Sequence, residues 1–522
     1  MMNNKYLTHL FSIGYLLAGT LLFNACTAGF EDLNRPGNQI SNEELDRDNF
    51  RMGAFFPQMT DNVFPVQENS YQHNEGFIGD SYARYTTLAL EKFMASNHMF
   101  YNAPLNWRNA YPFDDVMTKI YGPWNEIRTM TNGEGINFAW AQVLRVAAMQ
   151  RLTDMYGPIP YSQVVSGNLL TPYDSQQAVY EAMFKDLTDA INVLTPYANA
   201  NPDARPLAKF DGVYNGDFYK WVKFANSLKL RMAIRVRFAS PTLAQQMAEE
   251  AVGHPIGVFT SNDDNATYAN VENPVWQTYV GWPDMKVCAD ITAYMNGYED
   301  PRRAKYFQKA TMDGAEDAGG YVGLRAGVTS YTDTKMAGYS VVKSEKTDRL
   351  LWMCAAEVAF LKAEGAMLKW NMGGTVKEFY EQGISLSFNQ WGVSGASEYA
   401  ENSTLVPGDY KDPNSTGSAP ALSTVKIKWD DSATAEVMLE RIITQKWIAL
   451  WPIGQEAWSE YRRTGYPKLF PLAKSITPDI PVANRIPFPP AEYSKNRENM
   501  TDAVSKIGGA DDYASKMWWQ KK

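Results

Sequence analysis

The sequence is poor in the residues that most metal, redox and nucleic-acid chemistry needs. Among 522 residues there are three cysteines (Cys26, Cys288, Cys354) and four histidines (His9, His73, His98, His254). Three thiols build neither a disulfide framework nor a zinc cluster. The histidines stand at no ligand spacing, so a His-based metal site is not expected. Positive charge is in deficit: 49 Lys and Arg face 58 Asp and Glu, for a formal charge of -9. A phosphate backbone wants a basic face, so nucleic acid is not an expected partner. No phosphate-cradling loop, G-x-S-x-G elbow or zinc motif occurs. Past the first 25 or so residues, no stretch approaches the roughly 18 consecutive apolar residues of a spanning helix.

Aromatic residues, by contrast, reach 13%, enough to fill a large core and leave rings at the surface. The length alone permits several domains.

Residues 1–25 read as a processing segment, with Lys5 ahead of an apolar run from about Leu10 to Phe23. The run is too short for a spanning helix and ends at LFNAC. Cys26 resembles the lipidated first residue of a bacterial lipoprotein, although Phe23 and Asn24 depart from the usual lipobox. A lipid on Cys26 would hold the body on a membrane without crossing it. Residues 26–40 then form a tether, and 41–522 a single helical domain. Ser41 and Glu44 make a capping box ahead of a helix through Phe55.

Helical periodicity dominates the rest of the chain. Helices are expected from Asn137 to Tyr156, from Ser175 to Leu194 with a stop near Pro196, and from Asp217 to Phe238. The last carries Lys220, Lys223, Lys229, Arg231, Arg235 and Arg237 with no acid inside it. In an acidic chain that reads as a solvated or internally paired face rather than an anion site. Leu351 to Trp370 places Trp352, Ala355, Ala356, Ala359, Ala363, Ala366, Met367 and Trp370 on one face, and so many alanines let a partner helix come close. Thr375 and Glu378 cap that partner, which runs to about Trp391. Met438 to Pro467 makes a further helical hairpin. It is broken at Pro452-Ile453-Gly454, carries Trp447, Trp451 and Trp458, and is closed by Gly465.

Loop insertions are expected at about 71–111, 261–286, 308–349 and 392–432. In the first, aromatics from Tyr71 to Tyr111 alternate with asparagines. A ring covers the C–H face of a pyranose while a neighbouring amide serves its hydroxyls. The alternative is that the rings pin a long loop to the helices below. In the second, Trp276, Tyr279 and Trp282 cluster near Asn273 and Asp284, on a loop held by helices. The expected ligand set is Tyr101, Asn102, Asn106, Trp107 and Arg108 with Trp276, Tyr279, Trp282 and Asp284. No cofactor is expected. The Asn and Asp of 262–265 offer oxygens to a structural calcium, but without EF-hand spacing.

Several strings share one resemblance. QKWIALWPIGQEAWSEYRRTGYP (445–467), RLTDMYGPIPYS (151–162), KFANSLKLRMAIRV (223–236), YEDPRRAKYF (298–307) and NRIPFPPAEYSKNREN (484–499) occur in the order found in the SusD/RagB family of Bacteroidetes lipoproteins. The Glu31-Asp32 pair resembles the surface-export signals of such lipoproteins. The resemblance implies a mostly α fold of tetratricopeptide-like hairpins supporting a loop-rich ligand-binding face, with few short strands. It further implies an outer-membrane, outward-facing, lipid-anchored protein that captures oligosaccharide without catalysis. Its partner would be a SusC-like TonB-dependent transporter. Within the family, peptide capture of the RagB kind is the alternative. A glycoside hydrolase is the third reading; it needs two carboxyls about 5–10 Å apart, and nothing among the 58 acids singles out such a pair.

Overall fold

The computed structural model describes residues 49–89, 111–164, 170–269, 272–282, 284–328, 332–414, 417–474 and 482–522. The chain divides into two units, Met1–Met52 and Gly53–Lys522. Of the first, only residues 49–52 are described; Cys26 and the Ser41/Glu44 capping box lie outside the described residues.

The second unit is mostly helical. Helix α1 spans Phe55–Val63, so Phe55 opens a helix where the capping pattern placed the end of one. Then come α2 (Val116–Thr131), α3 (Gly135–Tyr156), α4 (Gln176–Ala200), α5 (Phe218–Val236) and α6 (Pro241–Gly253). Each packs on the next, giving the run of paired helices expected of a tetratricopeptide-like scaffold. Helix α4 does not stop at Pro196. It carries that residue inside and continues to Ala200, because Leu194 and Ala198 keep the apolar face buried on both sides.

Helix α7 (Ala289–Gly297) precedes the long insertion. Within that insertion Val322, Leu324, Met336 and Tyr339 join Ala289, Ala293, Tyr410 and Phe470 in one buried cluster, so the insertion is packed despite its irregular backbone.

Next are α8 (Ala355–Met367) and α9 (Val376–Gln390), the most closely associated helix pair. Building a Cβ on Gly383 of α9 puts it 2.7 Å from the Phe360 ring of α8, so glycine is what permits this approach. Thr375 and Glu378 form the reciprocal capping box predicted for α9. The start of α8 departs from expectation. Leu350–Met353 is a strand, and Trp352 therefore lies on sheet rather than on the helix face. All of its residues are buried, which a two-sided apolar LLWM run satisfies as well in a strand as in a helix.

Among the described residues the strands form two small antiparallel pairs: β1 (Thr86–Leu88) with β3 (Met285–Val287), and β2 (Ala266–Tyr268) with β4 (Leu350–Met353).

A further hairpin is α10 (Ala435–Ala449) and α11 (Gly454–Thr464), followed by Gly465 at φ 79°, and the helices Pro490–Lys495 and Arg497–Ile507 come after it. Trp451 falls in the turn rather than on α10. A Cβ at Gly454 would sit 2.0 Å from an Asp80 carboxyl oxygen, so this turn presses directly on the π-helical segment Gln72–Asp80. The rings of Tyr82 and Trp458 stand 5.0 Å apart, and those of Tyr85 and Trp447 5.6 Å. Tyr71, Phe77, Tyr82 and Tyr85 are thus core residues, each at most 1% exposed. For this part of the aromatic stretch the anchoring role holds and the sugar-facing one does not.

The basic face of α5 is internally paired. Arg231 makes a two-point contact with Glu357, at 2.7 Å on each arm. Arg235 reaches Glu460 at 2.5 Å and also Glu456 and Asp154; Arg237 reaches Glu364 at 2.5 Å. Arg463 joins Glu364 to Glu460, each at 2.6 Å, and Lys446 adds a contact to Glu460 at 3.1 Å. Burial alone would raise the Glu460 carboxyl, but Arg463, Lys446 and Arg235 together hold it well below its ordinary value.

Candidate functional site

The second loop is built from its capping residue outward. The Asn273 side-chain oxygen accepts from the backbone N–H of Val275 at 2.7 Å and Trp276 at 3.4 Å, and Pro274 occupies the first helical position. Its amide nitrogen donates to the Asp348 carbonyl at 2.7 Å, and its backbone N–H to that of Lys346 at 2.9 Å. The loop is therefore tied to the segment before β4. A π-helical turn, Gln277–Gly281, comes next and closes with Trp282 N–H on the Gln277 carbonyl at 2.8 Å.

This geometry separates the four predicted residues of the loop. Trp276 and Trp282 are half-buried, with Val280 exposed between them in sequence. The Lys346 ammonium stands 4.1 Å from the centre of the Trp276 ring and 3.5 Å from Glu272. With the Gln277 amide oriented to satisfy both its groups, its oxygen accepts from Trp282 Nε1 at 2.9 Å and its nitrogen donates to Glu272 at 3.1 Å. Both indoles are braced by polar neighbours while part of each ring stays open.

Tyr279 and Asp284 face inward. Tyr279 is 2% exposed and donates its hydroxyl to Asp80. Burial pushes the Asp80 carboxyl up to about 8, against the lowering effect of that hydroxyl. Asp284 accepts from Gln72 Nε2 at 3.1 Å. Lys346 and Gln277 are not among the residues the sequence singles out. No spacing links a lysine before β4 to a tryptophan some seventy positions earlier.

Tyr101, Asn102, Asn106, Trp107 and Arg108 lie outside the described residues. Their points of departure and return are described. Strand β1 pairs antiparallel with β3, and Ala89 N–H donates to the Asp284 carbonyl at 2.9 Å. The chain therefore enters the first loop beside the exit of the second. It returns at Tyr111, stacked on His73 at 5.1 Å, next to the segment Glu68–Tyr71 that also packs on the Trp276 loop.

Of the 262–265 carboxylates, Asp264 is engaged within the protein. Asp264 accepts from Thr260 N–H at 2.8 Å, Ser261 N–H at 3.1 Å and Lys223 at 2.9 Å. Burial opposes its ionisation, but these donors hold its carboxyl below the ordinary value. Among the described residues no group of three or more His, Cys, Asp and Glu is placed to hold a metal ion, and no helix is long and apolar enough to cross a membrane.

The same mostly helical fold recurs among solved structures of SusD homologues. A SusD homologue from Bacteroides thetaiotaomicron is 38% identical with a TM-score of 0.84, covering 90% of this chain and 99% of that one. One from Bacteroides uniformis is 40% identical with a TM-score of 0.84, covering 91% and 100%. A chitin-binding SusD homologue from Flavobacterium johnsoniae is 36% identical with a TM-score of 0.86, covering 90% and 98%. No curated protein sequence matches. The chain belongs to the SusD-like family, described as SusD and RagB outer membrane lipoproteins, which matches residues 32–520.

Proposed function

We propose that the protein is a non-catalytic glycan-binding lipoprotein of the outer membrane, anchored through Cys26 and facing the cell exterior. It passes captured oligosaccharide to a SusC-like TonB-dependent transporter. The observation that carries this reading is the half-open indole pair, Trp276 and Trp282, on a braced loop of a chain that is 36% identical to a chitin-binding relative. Rings of this kind cover the apolar face of a pyranose. The first loop, with Trp107, supplies the other half of the platform.

Calorimetry against a panel of oligosaccharides tests it, with Trp107→Ala and Trp282→Ala as variants. Both should bind at least about tenfold more weakly. Parent-like affinity in both removes the platform. Competition by a peptide mixture would favour the RagB-type reading, and release of reducing sugar by the purified protein would restore the hydrolase. Replacing Cys26 with Ala should move the protein from the membrane to the soluble fraction.

A further inference from the structure

Two cavities meet where β2, β4 and the end of α9 come together. The smaller, about 230 Å³, has an apolar strip of Val275, Leu351 and Trp391 beside Lys343 and Asp348. The larger, about 730 Å³, is lined by Asn215, Lys220, Asp263 and Asn389 among others. Asn265, Thr267, Arg349 and Gln390 belong to both walls, so the two form one groove.

The groove is held rigid by some of its polar groups and presents others. Arg349 donates from Nε to the Thr267 hydroxyl at 2.8 Å, and from Nη2 to the carbonyls of Gly212 at 2.8 Å and Thr267 at 2.6 Å. That leaves Nη1 to face a ligand. Asn265 is spent, donating to the Gln390 oxygen at 3.1 Å and accepting from Ala355 N–H at 2.7 Å, which leaves the Gln390 NH2. One Asp348 oxygen accepts from Ser344 and from Glu345 N–H, and the other stays open. Lys343 and Asn389 are exposed at the rim.

Two features select the ligand. Three cations (Lys220, Lys343, Arg349) and three carboxylates (Asp211, Asp263, Asp348) line the groove, so it carries no net charge. The Gly212 and Thr267 carbonyls, with which an added peptide strand would pair, are already taken by Arg349. Fixed donors and acceptors beside an apolar strip suit hydroxyls and C–H faces.

The geometry points to a second saccharide site: this groove, whose wall meets the root of the Trp276 and Trp282 loop at Asn273 and Val275, binds a neutral oligosaccharide in addition to any bound on the rings of that loop. It rests on the glycan-binding reading above. The test is calorimetry of the purified protein with neutral hexaoses (cello-, xylo- and chito-), with hexagalacturonate and a decapeptide pool as the other arms. The variants are Lys343→Ala/Asn389→Ala, which disturbs no internal hydrogen bond, Trp391→Ala, and the loop double variant Trp276→Ala/Trp282→Ala. A neutral hexaose should bind at two sites per chain. The groove variants should weaken one of them at least about tenfold and leave the other, which the loop variant removes. Binding that is lost in the loop variant and unmoved in both groove variants overturns the second site alone. A groove that takes only hexagalacturonate or peptide overturns it as well. If no neutral hexaose binds at all, the glycan reading falls and the second site with it.

Discussion

Glu460→Gln isolates what the buried ion lattice contributes to the scaffold. The carboxylate contacts Arg235 at 2.5 Å, Arg463 at 2.6 Å and Lys446 at 3.1 Å, and none of the four side chains is more than 4% exposed. Glutamine keeps the shape and removes the charge, leaving three cations to share Glu364, Glu456 and Asp154. Removing one partner of a buried pair costs about 3–5 kcal/mol, and a group serving three cations belongs at the top of that range. The pH dependence has a definite sign. Glu460 ionises well below its ordinary value of 4.5, so the unfolded chain takes up its proton first. The stabilisation is fully present above about pH 4.5 and is lost as pH falls through the folded value. Urea unfolding followed by tryptophan fluorescence should show a parent-minus-variant gap that is constant between about pH 5 and pH 8 and closes below. The exposed pair Glu401 and Lys428, at 2.8 Å, is the control; Glu401→Gln should leave the midpoint where it was. A Glu460→Gln variant as stable as the parent at pH 7 would refute the argument, because desolvation would then have cancelled all three contacts.

Three further substitutions read other parts of the scaffold. Gly383→Val drives a branched side chain into the Phe360 ring and should destabilise by about 1–3 kcal/mol, measured by the same unfolding curve. Asp80→Asn keeps an acceptor for the Tyr279 hydroxyl while removing a carboxyl whose ionisation is pushed up to about 8. Burial of Asp80 costs nothing below its ordinary 3.8 and progressively more up to about pH 8. The variant should therefore gain on the parent as pH rises across that window, and a gap that stays flat would contradict the assignment. Trp519 is fully buried and donates to Asp154 at 2.9 Å, so Trp519→Ala should cost about 3–5 kcal/mol and lower the thermal midpoint despite lying near the chain end.

Local signals were legible where the physics is local. The Thr375 and Glu378 capping box, the left-handed Gly465 and the long apolar faces of α3 and α5 depend on residues within a turn or two of one another. They appear where the sequence places them. Trp352 shows the limit. An apolar run flanked by a helical pattern extends that pattern on paper, and only pairing with Ala266–Tyr268, more than eighty positions away, makes it a strand. The inward turn of Tyr279 has the same origin. Its hydroxyl partner, Asp80, stands 199 positions earlier, so ring and amide content alone does not distinguish a sugar-facing ring from a buried one.

The lattice and the loops answer one requirement. The proposed binding surface needs a fixed base, and for the Trp276 loop that base is the β1 and β3 pair together with the π-helical segment ending at Asp80, which accepts from Tyr279. That segment lies against Gly454 at the start of α11, and α11 also carries Glu456, Glu460 and Arg463. The charges that pin α11 to α5, α8 and α10 therefore also bear on the position of the segment against which Tyr279 of the second loop is held. Apolar packing would hold α11 as tightly, but it would tolerate small shifts along the helix axis. Two-point Arg to Glu contacts do not, because each fixes a direction as well as a distance. These buried charges thus lie on a helix that packs against the π-helical segment, whose Asp80 holds Tyr279, so a shift there would carry over to the neighbouring rings of Trp276 and Trp282.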